Sequence, residues 1–137
     1  MSQYAPRAYQ FTYDKAGVRD DLERCKQEDR YAYGRIFVLL EQLLGDPADC
    51  ERFITEGWQD NQIEDVTAIR SLLDERIDGV RTKLWDVRAW RLLFICDLPG
   101  RRAGLVAIMH RSQNYEDDHE LWDRIRNAVQ RFGFGRY

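Results

Sequence analysis

Two apolar runs separated by a single turn constrain this chain most. Residues 90–96 read Trp-Arg-Leu-Leu-Phe-Ile-Cys, nearly continuous in hydrophobicity, as a central strand is. Leu98-Pro99-Gly100-Arg101 is a turn signal. Residues 103–109 form the second run, and residues 82–88 precede both with an alternating pattern in which Leu84 and Val87 flank Trp85. The spacing predicts strand, strand, turn and strand, mostly antiparallel.

The flanking segments carry helical periodicity. Residues 8–13 first alternate, with Tyr9, Phe11 and Tyr13 on one face of an expected strand. Asp14 is placed to cap a largely exposed helix over 15–28. In 30–44, Ile36, Leu39, Leu40 and Leu43 define one apolar helical face, stopped by Gly45-Asp46-Pro47. Glu28-Asp29 is either the bend between these helices or the middle of one long helix. A short helix is expected over 47–56 and a loop over 58–61. Val66, Ile69 and Leu73 then predict a further helical stripe, running to about Asp78-Gly79. Leu121, Ile125 and Val129 predict a closing helix over 117–132, followed by a Gly-rich aromatic tail. The expected fold is α+β: a small antiparallel β-sheet packed with N-terminal helices and a closing C-terminal helix. With 137 residues, 1–137 reads as a single domain with a helical elaboration at about 47–80.

Composition narrows the setting. No apolar run approaches the roughly 18 residues of a membrane span, and the start of the chain lacks the apolar centre of a signal peptide. Cys25, Cys50 and Cys96 are an odd number with no CxxC pair, so a disulfide framework is not expected and a cytoplasmic location is. Cys96 reads as a buried apolar residue, as do Trp85, Trp90 and Trp122 in whole or in part. Trp58 lies in a loop-like stretch. The net charge of −3 is unevenly distributed. Residues 1–75 hold 9 basic against 16 acidic residues, whereas residues 76–111 hold 8 against 3. Seven of those eight bases are arginines, the side chain suited to bidentate phosphate contact.

No phosphate loop, dinucleotide fingerprint or nucleophile elbow is present, and no cofactor is expected. His110 and His119 with Glu116, Asp117 and Asp118 match no common metal-ligand spacing, so no metal site is expected. The acidic trio suits the first turn of the closing helix. More informative are Lys83, Arg88, Arg91, Arg101, Arg102, Arg111 and Tyr115. Arginines converging at strand ends can hold a phosphodiester and stabilise a pentacovalent phosphate. Tyr115 can stack on a base or transfer a proton, and His110 is a candidate general acid or base. The competing explanation is that these arginines pair with acids of the helical half.

The stretch Lys83-Leu84-Trp85-Asp86-Val87-Arg88, then Trp90-Arg91-Leu92-Leu93-Phe94, then Ala107-Ile108-Met109-His110-Arg111 and Tyr115, resembles the RelE/ParE toxin superfamily, in its phage-associated, HigB-like branch. Asp86 stands where that branch usually has Glu, and Trp90 where it usually has Tyr. The resemblance implies a RelE-like fold and the toxin of a type II toxin–antitoxin system, an mRNA interferase that cuts mRNA on the ribosome. It implies catalytic roles for Arg91, Arg111, Tyr115 and His110, and RNA binding by Lys83 and Arg88, to which Arg101 and Arg102 are added as neighbouring bases. The partners it implies are a cognate antitoxin, the ribosome and mRNA. Two other functions stay open. One is a non-nuclease protein on the same fold, such as a gyrase inhibitor or a phage-derived interaction module. The other is an unrelated α+β domain whose acidic half binds a basic partner.

Overall fold

In the computed structural model, which describes residues 8–135, the chain begins with β1 (Gln10–Tyr13), α1 (Lys15–Glu28) and α2 (Arg30–Gly45). A 3-10 turn (Pro47–Asp49) leads into α3 (Cys50–Ile54). There follow β2 (Ile63–Ala68), the single turn α4 (Arg70–Leu73), β3 (Asp78–Leu84), a 3-10 turn (Trp85–Val87), β4 (Trp90–Asp97) and β5 (Arg102–His110). A 3-10 turn (Tyr115–Asp117) and α5 (His119–Phe132) complete it. The fold is α+β. The sheet is five-stranded, in the order β1-β5-β4-β3-β2. Strands β2 to β5 form an antiparallel meander, and β1 joins the β5 edge in parallel.

The unbroken hydrophobicity of β4 has a simple origin: both faces of the sheet are covered. Leu92, Phe94 and Cys96 enter the core beneath α1, α2 and α3, with Ile36, Leu43 and Phe53. Leu93 and Ile95 enter a second core beneath α5, with Leu121, Trp122 and Ile125. Each face thus removes alternate side chains from water.

Local chemistry sets the helix ends. Asp29 separates α1 from α2, and its Oδ1 accepts from the Ala32 amide (3.0 Å), so these are two helices and not one. Asp118 caps α5 in the same way through Leu121 N–H (3.0 Å). Gly133, at φ 71°, ends α5 in the left-handed conformation that glycine adopts without a Cβ clash. Asp14 stands at the N-cap of α1, but its side chain instead accepts from Arg131 (2.9 Å).

Two expectations are corrected. The segment expected as a helical elaboration contains an edge strand, β2, and only one turn of helix around Ile69 and Leu73. Ile63 and Val66 are both buried against the α1–α3 side because the ladder shifts register between Ile63 and Asp65. That bulge puts apolar residues three apart on one strand face, which mimics helical spacing. The meander consequently has four strands, not three. The strand expected over 82–88 starts earlier, at Asp78, and stops at Leu84. Trp85 lies in the following 3-10 turn and is 44% exposed, not buried, whereas Trp90 and Trp122 are buried as expected. Cys96 is buried, with its thiol pKa pushed up by desolvation. Among the described residues no helix is long and apolar enough to cross a membrane.

Candidate functional site

Register builds the site. Lys83 on β3 is directly opposite Arg91 on β4, and Arg91 is opposite Met109 on β5. Met109 belongs to the core under α5, so all three side chains project to that side of the sheet. Along β4 this face runs from Ile95 through Leu93 to Arg91. The apolar cover ends at Leu93, and the next position on the same face is a cation. On β3, Arg81 faces Leu93 and Lys83 faces Arg91, so β3 turns cationic one rung before β4 does.

Arg111 extends the cluster from β5. Its backbone N–H donates to the Ala89 carbonyl (2.7 Å), which carries the β4–β5 pairing one residue past the strand end. The result is a cleft of about 360 Å³ lined by Lys83, Arg88, Arg91, Arg111 and a single carboxylate, Glu64. Arg88 takes that carboxylate with two long contacts, 3.3 and 3.4 Å. Arg91 donates to the carbonyls of Arg88 (2.6 Å) and Trp90 (3.3 Å), which fix the guanidinium without neutralising it. Asp65, opposite Lys83, accepts from the Thr67 hydroxyl (2.6 Å). Among the described residues, Arg81, Lys83, Arg91 and Arg111 make no ion pair.

The electrostatic signature follows. The Arg91 pKa is pushed below the ordinary arginine value, first by desolvation, with Arg81 and Arg111 adding repulsion that Glu64 only partly offsets. Arg91 remains charged, because an arginine starts so far above neutrality. The Nε of Arg81 is buried and has no hydrogen-bond partner. An anion held between Arg91 and Arg111 would relieve their repulsion.

Eight residues stand out in the sequence, and the fold separates them. Lys83, Arg88, Arg91 and Arg111 meet in the cleft. His110 does not join them. It pairs in register with Trp90, whose ring it meets edge-on at 5.2 Å, and Trp90 belongs to the core on the opposite face. The His110 Nδ1 is also engaged with Ser112 Oγ (2.7 Å). Tyr115 packs, half-buried, against the core under α5 and lies outside the cleft lining. Arg101 and Arg102 lie at the far, hairpin end of β4 and β5. Arg102 pairs there with Asp97 (2.6 Å) and donates to the carbonyls of Phe132 (3.2 Å) and Gly133 (2.9 Å). Arg101, at φ 52°, stacks over Tyr9. Arg102 is paired with an acid, but with Asp97 of its own hairpin and not with one from the helical half.

Sequence reasoning passed over Arg81 and Glu64. Alternation would have found Arg81, two residues before Lys83, had the strand been started at Asp78. Glu64 carries no local signal, since its place depends on β2 being a strand. Among the described residues no group of three or more His, Cys, Asp and Glu is placed to hold a metal ion. Comparison with known protein families, with curated proteins and with solved structures gives no match.

Proposed function

We propose that this chain binds the sugar–phosphate backbone of RNA on its cationic face, as the toxin of a type II toxin–antitoxin pair of the RelE/ParE kind acting as an mRNA interferase on the ribosome. One observation carries the proposal: four bases line one cleft with a single carboxylate among them. The element order supports it, since a strand, a helical pair, an antiparallel meander and a closing helix are what the sequence resemblance implies. In this scheme Arg91 and Arg111 clamp a phosphate from adjacent strands. Their fixed positive charge stabilises the pentacovalent phosphate as the 2′-hydroxyl attacks. Lys83 and Arg88 hold the flanking backbone. An antitoxin would neutralise the same face with acidic residues. The chain works in the cytoplasm in this scheme.

The placement of His110 favours a second reading on the same fold. With that imidazole across the sheet, the cleft lining contains no histidine to move a proton. A protein that grips a polyanionic partner without cutting it, such as a gyrase inhibitor, would have such a surface.

Induced expression with purified translating ribosomes separates the two. The nuclease reading expects growth arrest and discrete mRNA cleavage, both relieved by Arg91→Ala and by Arg111→Ala. Arrest without cleavage, still relieved by these substitutions, selects the binding reading. Undiminished toxicity in both variants removes the cationic face from the function altogether.

A further inference from the structure

Next to the cationic cleft stands an aromatic surface that the clamp itself does not use. Trp85 is 44% exposed and Trp58 38% exposed. Both indole N–H groups end on the same residue: Trp58 donates to the Asp60 carboxylate and Trp85 to the Asp60 carbonyl, each at 2.9 Å. The Trp85 backbone N–H adds a bond to Gln62 O (3.2 Å). Asp60 is held in turn by Arg52 and by the amides of Gln62 (2.8 Å) and Ile63 (2.7 Å). Exposed indoles are usually mobile, and this one is fastened at backbone and ring.

Its neighbours connect it to the cleft. Trp85 follows Lys83 by two residues, just past the end of β3. The Arg88 guanidinium lies 5.6 Å from the Trp85 ring centre and also contacts Glu64, in the cleft lining. Arg88 therefore touches the aromatic surface on one side and the phosphate-binding surface on the other.

We propose that Trp85 is a base-stacking platform for single-stranded RNA, with Arg88 and Lys83 taking the phosphate beside the stacked base. The inference rests on the RNA-binding reading above and adds the strandedness of the ligand. The charge of the adjoining cleft selects a polyanion. The exposed ring selects one with free aromatic faces, which an unpaired base has and a duplex hides. A ring already fixed by hydrogen bonds loses little conformational freedom when a base stacks on it. Arg88 can leave its long contacts to Glu64 for the shorter, charge-assisted bonds that a phosphate offers.

The test measures the full-length protein by fluorescence anisotropy against three probes: a short unstructured RNA, the same RNA annealed to its complement, and inorganic polyphosphate as a competitor without bases. Trp85→Leu is expected to weaken single-strand binding about tenfold or more. It should leave the salt dependence and the polyphosphate affinity at wild-type values. Trp85→Phe, which keeps a stacking face, should retain most of the affinity, and both variants are checked for an unchanged melting transition. The proposal is overturned if Trp85→Leu binds the single strand as tightly as wild type, or if it loses polyphosphate and duplex affinity to the same degree. Retained RNA binding in Trp85→Leu with loss in Arg91→Ala removes the stacking platform and leaves the cationic site. Wild-type protein that ignores all three probes removes both.

Discussion

Arg102 and Arg91 lie near opposite ends of the β4–β5 ladder, and their surroundings differ in kind. Arg102 finds Asp97 beside it and the last carbonyls of α5 above it, and it stacks on Phe134 at 4.8 Å. Arg124 and Arg131, also on the α5 side, end on the buried carboxylates Asp21 and Asp14. Arg91 hydrogen-bonds only to carbonyls, and the repulsion of Arg81 and Arg111 on it is only partly offset by Glu64. One residue type thus has two roles in one sheet. Where a guanidinium has a carboxylate and a helix end to satisfy, it joins elements together. Where its neighbours are further guanidiniums, it costs folding energy and leaves binding capacity for an anion.

The comparison breaks most visibly at Asp21. This carboxylate is 6% exposed, accepts from the Ile108 amide (2.8 Å) and holds Arg124 through 3.0 and 3.2 Å bonds. Asp21→Ala leaves a buried amide and a partly buried guanidinium without their partner. It should cost about 3 kcal/mol in urea unfolding. A loss under about 1 kcal/mol would mean that these paired arginines are ornamental to stability.

Arg102→Ala comes next, at about 1–2 kcal/mol, since it removes one carboxylate pair and two carbonyl bonds from a partly exposed site. A lowered melting temperature with unchanged RNA affinity would place Arg102 outside the binding surface. Weakened RNA binding by this variant would reinstate the hairpin end as part of the site.

Arg91→Met sharpens the opposite arm. It removes a repelled charge, so stability should hold or rise by a few tenths of a kcal/mol. RNA affinity should fall, and the salt dependence of binding should lose about one counterion's worth of slope. A variant that unfolds more easily than wild type would show that Arg91 has a structural role too.

The smallest effect is expected at Arg52, a paired arginine beside the cationic end. Its partner Asp60 is pushed up by burial. The amides of Ile63 and Gln62, the Trp58 indole and Arg52 more than reverse that and hold it well below the usual carboxylate range. Asp49, the other partner, is lowered chiefly by Arg52 as well. A carboxyl with a depressed folded pKa binds fewer protons in the native state than in the unfolded one. Its stabilisation is complete above the unfolded value, about 3.9, and drains away as the pH falls below it. Urea midpoints followed from pH 6 to pH 3 should therefore drop less steeply for Asp60→Asn than for wild type. Equal slopes would detach Asp60 from the acid response.

Much of this was legible from local pattern. The unbroken run in β4, the turn at Pro99-Gly100 and the stripes of α2 and α5 mark their elements because each reflects burial on one or two faces. The bases of the cleft could be shortlisted, since Lys83, Arg88, Arg91 and Arg111 crowd one stretch of sequence. The same count also admitted Arg101 and Arg102, which charge alone cannot distinguish from the others. β2 was illegible because Val66 of the strand and Ile69 and Leu73 of the turn after it fall at helical spacing.

The sequence by itself determined the secondary elements that depend on periodicity, the α+β class and the concentration of arginine in the second half of the chain. Tertiary structure decided which arginines are free. Pairing depends on what lies across a ladder or beneath a helix, and Asp21 reaches Arg124 from 103 positions away. It also decided the faces: Arg91 and His110 lie on adjacent strands but on opposite sides of the sheet, because strand register assigns each side chain its side.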